Sequence, residues 1–360
     1  MNSGTLGRVS DFGEKEPRPP VLLVGNFLSQ SIGNRCVCED LAERLTSRGW
    51  PLLTTSEEPR RLLRLVDMLR TIWRKRHEYA VAQVDVYSGD AFIWAEAAGW
   101  FLRRLRKPYV LTLHGGNLPA FSRRWPRRVQ RLLAGAEAVT TPSRYLQETM
   151  QSFRTDMELI PNALDVQAYE YRHRLVARPR LVWLRAFHHI YNPAMAPRVL
   201  ARLVGEFPDI QLLMVGPDKA DGSRQEMERT AQSLGVRDRI AVPGKVTKAS
   251  IGDWLNRGDV FLNTTNFDNT PVSVMEAMAC GLCVVSTNVG GIPYLVRSGY
   301  DALTVSPDRD DEMANAVRRI LQNSSLCATL SRNARATAEP WDWSPVLDRW
   351  DEILRGVARC

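Results

Sequence analysis

Two carboxylates, Asp268 and Glu276, stand eight positions apart in a stretch that is otherwise nearly uncharged, residues 259–291. From Val272 to Cys280 almost every neighbour of Glu276 is apolar, which predicts a buried helix. An ionised carboxylate in such a helix is costly unless hydrogen-bond donors satisfy it. The vicinal hydroxyls of a sugar would supply paired donors, and a protein N–H group at the one wet edge of the helix would also do so. Glu276 is therefore a candidate binding residue.

The elements around these carboxylates are predicted to form one strand–helix–strand unit. Residues 259–265 are predicted to form a buried strand, and the loop NFDN follows it. Thr270 is predicted to be the N-cap of the helix and Pro271 its first residue, since proline has no N–H group to leave unpaired there. The helix is expected to end near Gly281, and residues 283–286 to form the next parallel strand. The loop therefore lies at the carboxyl end of a strand, where open parallel sheets bind ligands.

A family signature is recognisable in the stretch that begins at Asp268, D-N-T-P-V-S-V-M-E-A-M-A-C-G-L-C-V-V-S-T-N-V-G-G. It resembles that of the retaining nucleotide-sugar glycosyltransferases of the group 1 (family 4) type, which have the GT-B fold. In that family an acidic residue, seven further residues and a Glu precede A-x-A-x-G-x-P-V-V and a Gly-Gly turn. The resemblance implies that Glu276 binds the ribose hydroxyls of the donor. It places the transferred sugar and its phosphate against Asp268, which is one methylene shorter than the usual Glu, and against Asn269, Thr270 and Pro271.

A second candidate lies at the end of another predicted strand, Tyr109–Leu113, which runs into His114, two glycines and an asparagine. A histidine there is exposed to whatever occupies the cleft, although a histidine satisfied within its own turn would give the same pattern. The family has a His-Gly or His-Asp step at this point, with the imidazole near the transferred sugar. The resemblance therefore implies that His114 is a catalytic-site residue that contacts or orients the sugar.

The diphosphate of the donor is expected to meet positive charge. In the family a Gly-Arg pair ends the strand that here begins at Leu181. Arg185 matches the arginine, and its planar guanidinium suits bidentate phosphate binding. The family's next phosphate-binding residue, a Lys, is absent, because residues 188–192 read His-His-Ile-Tyr-Asn. Tyr191, Asn192 or a histidine would have to replace it, or binding of the diphosphate is weakened.

The remaining donor-binding candidates are backbone positions. Gly33 and Asn34 lie where a helix is predicted to begin, and the free N–H groups of a helix N-terminus favour a phosphate. Gly216 ends a predicted strand of the second half. Gly244 and Val246 belong to the stretch RIAVPGKV, which resembles the V-x-F-x-G-x-V element that lies beside the nucleobase in the family.

No metal ion or other cofactor is expected. His188 and His189 are adjacent, adjacent residues seldom bind one ion together, and no third ligand is expected nearby. Asp308 and Asp310 have the D-x-D spacing of metal-dependent transferases, but acids at the start of a helix are ordinary capping residues. The arrangement in the family likewise requires no divalent ion.

The net charge of +8 is concentrated in the first half of the chain. Residues 1–175 hold 26 basic and 19 acidic side chains, whereas residues 176–360 hold 22 and 21. The excess lies in three clusters that contain aromatic residues, RRLLRLVDMLRTIWRKRHEY, WFLRRLRKPY and FSRRWPRRVQRLL. Solvated helix faces would explain them, and an anionic membrane surface is a further candidate partner. A nucleic-acid partner is not expected, because no recognition module is visible.

Alternating strands and helices predict an α/β protein with two doubly wound Rossmann-like domains that face each other across a cleft. The predicted parts are a flexible lead-in (1–20), an acceptor-side domain (21–175), a nucleotide-sugar-binding domain (176–338) and a helix that crosses back to the first domain (339–360). No apolar run is long enough to cross a bilayer, and residues 1–20 lack the apolar region of a signal peptide. A cytoplasmic protein is expected, with peripheral membrane contact as a further candidate.

The resemblance implies a retaining, metal-independent glycosyltransferase. Such an enzyme moves a sugar from a nucleoside-diphosphate sugar to a hydroxyl group of a carbohydrate or lipid-linked acceptor. The expected catalytic residues are His114, Asp268 and Arg185. Two alternatives stay open on the sequence. One is a non-catalytic protein that binds the donor, which the missing Lys and Asp268 favour, and the other is a nucleotide-sugar epimerase on the same fold.

Overall fold

The computed structural model describes residues 17–29, 36–114 and 117–359. Gly33 and Asn34, two of the predicted donor-binding positions, therefore lie outside the described residues. So does most of the predicted lead-in. Among the residues described, no helix is both long and apolar enough to span a membrane.

The first half of the chain forms a parallel six-stranded sheet with the strand order β2-β1-β3-β4-β5-β6. Its strands are β1 (Val21–Val24), β2 (Leu52–Thr55), β3 (Val81–Val86), β4 (Tyr109–Leu113), β5 (Ala138–Thr141) and β6 (Glu158–Leu159). The helices between and after them are α1 (Val37–Ser47), α2 (Arg61–Arg74), α3 (Phe92–Arg104), α4 (Leu118–Arg124), α5 (Pro126–Leu133) and α6 (Arg144–Thr149).

The second half forms another parallel six-stranded sheet, in the order β12-β11-β10-β7-β8-β9. Its strands are β7 (Arg180–Leu184), β8 (Gln211–Val215), β9 (Ile240–Gly244), β10 (Val260–Asn263), β11 (Cys283–Thr287) and β12 (Ala302–Val305). The described helices of this half are α7 (Met195–Leu203), α8 (Ser223–Ser233), α9 (Ile251–Leu255), α10 (Val272–Ala279), α11 (Ile292–Leu295), α12 (Asp310–Gln322), α13 (Ser324–Ala338) and α14 (Trp343–Ala358).

Each sheet has one point at which the strand order reverses. In the first sheet the order reverses between β1 and β3, and in the second between β7 and β10. Loops that leave neighbouring strands at such a point run to opposite faces of the sheet and leave a crevice for a ligand. The predicted class, two doubly wound Rossmann-like domains, is confirmed by these two strand orders.

The strands β1, β3 and β4 in the interior of the first sheet are buried on both faces because helices cover both sides. Val21 and Leu23 pack with the helices α1 and α14, whereas the alternate residues Leu22 and Val24 pack with α2 and α3. This follows from the two-residue period of a strand, which sends successive side chains to opposite faces. The helix α14 at residues 343–358 therefore belongs to the core of the first domain.

The chain passes between the two domains at residues 164–179 and returns just before α14, and these two crossings touch. The Leu164 N–H donates to the Trp341 carbonyl at 2.9 Å, and the Val166 N–H donates to the Asp342 carboxylate at 3.2 Å. The backbone of the first crossing is thus held by the backbone and by a side-chain carboxylate of the second.

The first crossing is rich in polar and charged residues, but it is not fully exposed. Val166, Tyr169, Arg174 and Ala177 are all buried. A pattern of apolar residues does not identify Arg174 as buried, because its guanidinium is charged. The guanidinium donates to the Gly258 carbonyl at 3.1 Å and to the Asn256 side-chain oxygen at 2.8 Å. A buried cation of this kind is tolerated because carbonyls satisfy its donors and the buried Asp259 carboxylate lies 3.5 Å from its Nε atom.

Candidate active site

The ligand crevice of the second sheet contains two of the predicted catalytic residues. Arg185 follows β7, and Asp268 lies in the loop after β10, so both stand at the point where the strand order reverses. The Arg185 guanidinium forms an ion pair with the Asp268 carboxylate, and it lies 4.3 Å from the centre of the Tyr191 ring. Burial lowers the pKa of Arg185. The Asp268 carboxylate and the face of Tyr191 thus hold a desolvated guanidinium in one orientation.

Two glycines hold the Asp268 loop in place. A side chain at Gly290 or Gly291 would collide with the backbone carbonyls of Asp268 and Asn269 respectively, and the Gly291 N–H donates to the Asp268 carbonyl at 2.9 Å. Gly290 also has a φ of +55°, which other residues rarely adopt. The Gly-Gly turn is needed because only a backbone without side chains can approach the Asp268 loop this closely.

Glu276 lies on α10 with only 4% of its surface exposed. The Tyr169 hydroxyl donates to Glu276 Oε1 at 2.9 Å. Desolvation raises the pKa of Glu276 to about 7, while the hydrogen bond from Tyr169 and the positive charges of Lys248 and Arg185 oppose the rise. The predicted burial of this helix is therefore confirmed. The carboxylate has a protein donor, Tyr169, which sequence reasoning did not identify.

The predicted cap of α10 is wrong by one residue. Pro271 occupies the N-cap position and the helix begins at Val272. The hydroxyl of Thr270 is buried, and no hydrogen-bond partner for it exists among the residues the structure describes. The extended φ and ψ of Pro271 suit an N-cap, so the backbone rather than a capping side chain starts the helix.

The two domains meet at Asn269. The Ser143 hydroxyl, which follows β5 of the first sheet, donates to the Asn269 carboxamide oxygen. Two further contacts close the cleft on either side, an ion pair between Lys248 and Asp40 and a hydrogen bond of 2.8 Å between Tyr294 and Glu148. The carboxyl edge of the first sheet is thereby held against the Asp268 loop.

His114 follows β4, which pairs with the strand that leads to Ser143. Its Nε2 atom lies 2.9 Å from Asp85 Oδ1, and its ring stacks on Tyr87 with the ring centres 5.4 Å apart. The Gln83 side-chain amide donates to the same Asp85 oxygen at 2.8 Å. Asp85 thus fixes the orientation of the imidazole.

Sequence reasoning missed Asp85, although a signal was present. Gln83 and Asp85 interrupt an otherwise apolar strand, VAQVDV, whose six residues are all buried. Polar side chains two apart on a buried strand lie on the same face, and buried polar groups require partners.

The remaining predicted positions fall at the ends of β8 and β9. Gly216 has a φ of +148°, and a side chain there would collide with the Arg185 carbonyl, so this glycine lets the two strand ends pack closely. The Gly216 N–H donates to the Gly244 carbonyl at 3.0 Å. Val246 packs against the apolar cluster that contains α10. These positions therefore border the crevice that Arg185 and Glu276 share.

The expectation that no third metal-ligand candidate lies near His188 and His189 is wrong. Asp221, from the loop before α8, brings a carboxylate to both rings, with Oδ2 2.9 Å from His189 Nδ1 and 3.8 Å from His188 Nε2. The same carboxylate accepts the backbone N–H groups of His189 and Ser223 at 2.7 and 3.1 Å. Hydrogen bonds within the loop therefore account for this cluster, and we assign no metal to it.

Two cavities lie between the domains. One of about 420 Å³ is lined by residues of both domains, including Ser143, Thr270 and Gly291. The other, of about 290 Å³, includes Tyr169 and Lys248. The first cavity borders the loop and helix that carry Asp268 and Glu276, at Thr270 and Met275. The second borders Tyr169, whose hydroxyl contacts Glu276, so there is room for a ligand on either side of the domain contact.

Known proteins resemble this chain in sequence and in fold. The chain matches a family model described as Glycosyltransferase Family 4 over residues 35–168 and one described as Glycosyl transferases group 1 over residues 178–323. It is similar to the phosphatidyl-myo-inositol mannosyltransferase of Mycobacterium tuberculosis, with 26% identity over 242 residues that make up 64% of this chain and 62% of that protein. The chain spans 36 to 62% of the lengths of the curated relatives it matches.

Solved structures show the same fold. The sucrose-phosphate synthase of Thermosynechococcus elongatus superposes with a TM-score of 0.77 at 17% identity, over 94% of this chain and 99% of that one. Anabaena HepE in complex with UDP-glucose superposes with a TM-score of 0.74 at 16% identity, over 94% of this chain and 100% of that one. The two sheets and their facing crevices define the GT-B class of folds. Within that class, the chain belongs to the group 1 / family 4 glycosyltransferases.

The burial of Glu276 predicts a pH-dependent effect on stability. Because folding raises the pKa of Glu276 from 4.5 to about 7, the stability that this group contributes is present below about pH 4.5 and is lost as the pH rises through 7. Glu276→Gln keeps an acceptor for Tyr169 but carries no charge. We expect the free energy of unfolding of this variant, measured with denaturant, to exceed that of the parent by about 3 kcal/mol at about pH 8 and to match it at about pH 4.5.

The matched control is Glu352→Gln, at an exposed position of α14. It should leave the unfolding midpoint nearly unchanged at both pH values. Equal stability of Glu276→Gln and the parent across this range would show that Glu276 carries no desolvation cost in the folded protein.

Proposed function

We propose that this protein transfers a sugar from a nucleoside-diphosphate sugar to an acceptor hydroxyl, with retention at the anomeric carbon and without a divalent ion. The observation that carries the proposal is the convergence of Arg185, Asp268 and Glu276 on one crevice. The contact between Ser143 and Asn269 holds the edge of the first sheet that carries His114 against that crevice. The match to the two glycosyltransferase family models supports the same reaction class.

The leaving diphosphate would be stabilised by Arg185 and by the N-terminus of α10. Negative charge grows on the departing phosphate in the transition state, so fixed donors aimed at it lower the barrier most. Arg185 is already desolvated and oriented by Tyr191. The N-terminus of α10 lies directly after the loop of Asp268, and its partial positive charge favours an anion there.

The acceptor hydroxyl would attack the anomeric carbon on the face from which the diphosphate leaves. The bond from the acceptor oxygen to that carbon forms as the bond to the phosphate oxygen breaks, and the acceptor proton passes to the phosphate. A displacement on this face needs no covalent nucleophile. His114 would orient the transferred sugar. The anomeric configuration of the product, read by NMR, would test retention directly.

The comparisons support a nucleotide sugar as the donor and a lipid with a hydroxyl group as one class of acceptor. The HepE structure is described as a complex with UDP-glucose, and the mycobacterial relative is named for transfer to phosphatidyl-myo-inositol. A carbohydrate or lipid-linked acceptor is therefore our proposal for this chain, on the cytoplasmic side of a membrane.

The second candidate is a protein that binds the donor without transferring the sugar. Two observations favour it. The family's diphosphate-binding Lys is absent, and the Arg185 guanidinium is already paired with Asp268. An anion at this site must therefore compete with a carboxylate for the guanidinium. Hydrolysis or transfer of the donor sugar by the purified protein would exclude this candidate.

A panel of nucleotides tests donor binding. UDP, GDP, ADP and their common sugar conjugates are added to the parent protein, and the thermal midpoint is measured with and without EDTA. We expect one nucleotide family to raise the midpoint, equally in both conditions, because the proposed site binds the diphosphate without a divalent ion. Glu276→Ala should lose most of this shift. A shift that disappears with EDTA would contradict the metal-free mechanism.

A variant of His114 tests the role of the carboxyl edge of the first sheet. His114→Ala should leave the nucleotide-induced thermal shift intact and lower kcat by about 100-fold or more, since the imidazole acts on the sugar rather than on the nucleotide. His173→Ala is the matched control, because His173 is exposed and its ring nitrogen lies 3.0 Å from the Ala328 carbonyl oxygen, on a different part of the molecule. A kcat equal to that of the parent would remove His114 from the mechanism.

A membrane surface is the further partner that we propose. The helices α2 and α3 pack side by side on the outer face of the first sheet, with α5 against α3. Large apolar side chains on them point outward, with Leu62 81% exposed, Trp100 60% and Trp73 52%. Ile93 and Val66 are exposed on the same two helices.

Arginines alternate with these apolar side chains on the same helices. Arg70 and Arg74 share the outward face of α2 with Trp73, and Arg104 follows Trp100 by one turn on α3. Exposed tryptophans and leucines with cations around them suit the headgroup region of an anionic bilayer. Solvation of these helix faces would explain the arginines but not the exposed apolar side chains.

Cosedimentation with vesicles tests this surface. The parent should bind vesicles of phosphatidylglycerol and phosphatidylcholine, and salt should weaken the binding. The double variant Trp73→Ala with Trp100→Ala should bind about tenfold or more weakly, because it removes apolar area that the bilayer would bury. Tyr300→Ala, at an exposed aromatic residue of the second domain, is the control. Equal binding of the double variant and the parent would rule this face out.

A further inference from the structure

Tyr169 belongs to the first crossing between the domains, yet it reaches into the crevice of the second sheet. It follows the turn at Val166–Ala168, and it is 8% exposed. Its ring packs in the same apolar cluster as Val274 and Leu255, with Gly252 against one ring edge. Its hydroxyl donates to Glu276 Oε1 at 2.9 Å. A residue of the connecting segment thus holds a functional carboxylate of the second domain.

Other charged groups face Glu276, but each has its own partner. Lys248 forms an ion pair with Asp40, and Arg185 forms an ion pair with Asp268. The positive charges of Lys248 and Arg185 lower the pKa of Glu276, and the negative charge of Asp40 raises it. The hydrogen bond from Tyr169 is the direct contact that the described residues supply to the carboxylate.

We infer that Tyr169 is a positioning residue for the donor nucleotide: its hydroxyl holds one oxygen of Glu276 and so presents the other oxygen, ionised, to the ribose hydroxyls. The inference rests on the proposed function, in which Glu276 binds ribose. A carboxylate that accepts one protein hydrogen bond keeps acceptor capacity for a diol, and its charge strengthens those bonds. Phenylalanine at this position would fill the same space without holding the carboxylate.

Loss of the hydroxyl has a defined direction of effect. Burial raises the pKa of Glu276 to about 7, and the hydrogen bond from Tyr169 lowers it. Tyr169→Phe therefore raises the pKa of Glu276 further, so that the carboxylate is protonated at neutral pH and charged only at higher pH. Nucleotide affinity should fall at neutral pH and recover as the pH rises.

The experiment measures the dissociation constant of the nucleotide that stabilises the parent, by calorimetry from about pH 6 to about pH 9. Tyr169→Phe should bind it about tenfold or more weakly near pH 7 and approach the parent near pH 9. With the sugar donor, KM should rise while kcat stays close to that of the parent. Glu276→Gln should show weak binding with no dependence on pH in this range.

Two controls separate positioning from a loss of structure. Tyr79→Phe removes another buried hydroxyl, which donates to the Ile72 carbonyl at 3.1 Å in the first domain, and it should leave nucleotide binding unchanged. Tyr169→Phe in the Glu276→Gln background should cost little additional affinity, because the hydroxyl then faces a neutral amide. A full loss in that background would indicate structural damage and overturn the inference.

The outcomes also separate this inference from the proposed function. If the parent binds a nucleotide and Tyr169→Phe binds it equally at every pH, the positioning role is overturned and the proposed function stands. If the parent binds no nucleotide at any pH, the proposed function fails and the role of Tyr169 fails with it.

Discussion

The cleft depends on charged groups that are kept out of water at the carboxyl edge of the second sheet. Arg185 and Glu276 are both desolvated there, and each is stable only because a neighbour of suitable chemistry is fixed beside it, Asp268 for the cation and Tyr169 for the anion. Such groups are costly for folding but ready for a ligand, since water no longer competes for them. The closeness of the Gly-Gly turn, the buried helix α10 and the domain contact at Asn269 all serve to maintain this arrangement.

The sequence predicted those parts whose chemistry is local. The strand–helix–strand unit at residues 259–286 is predictable because apolar strands, a short apolar helix and a glycine stop follow one another without interruption. The alternation of strands and helices likewise predicts two doubly wound sheets, and the strand orders confirm that prediction. Glu276 is recognisable as unusual from its neighbours in the chain, because it is the single charge on an apolar helix.

The sequence could not predict partners that come from distant parts of the chain. Asp85 and His114 stand 29 residues apart, and Tyr169 and Glu276 stand 107 apart. Their pairing depends on strand order and on the path of the crossing, neither of which leaves a periodic signal. Arg174 shows a related difficulty, because a buried cation bonded to carbonyls looks in sequence like a surface residue. At Thr270, a favourable capping residue was outweighed by the backbone geometry of the proline that follows it.

The position of α14 has a consequence for synthesis of the protein. This helix supplies Val346, Trp350 and Leu354 to the core beneath the first sheet, although more than half of the chain separates it from β6. A domain made first on the ribosome can usually fold while the rest is still being made. Here one side of the core of the first domain is covered by α1 alone until residues 343–358 have emerged, so the folding of this domain is completed only after the second domain has been synthesised.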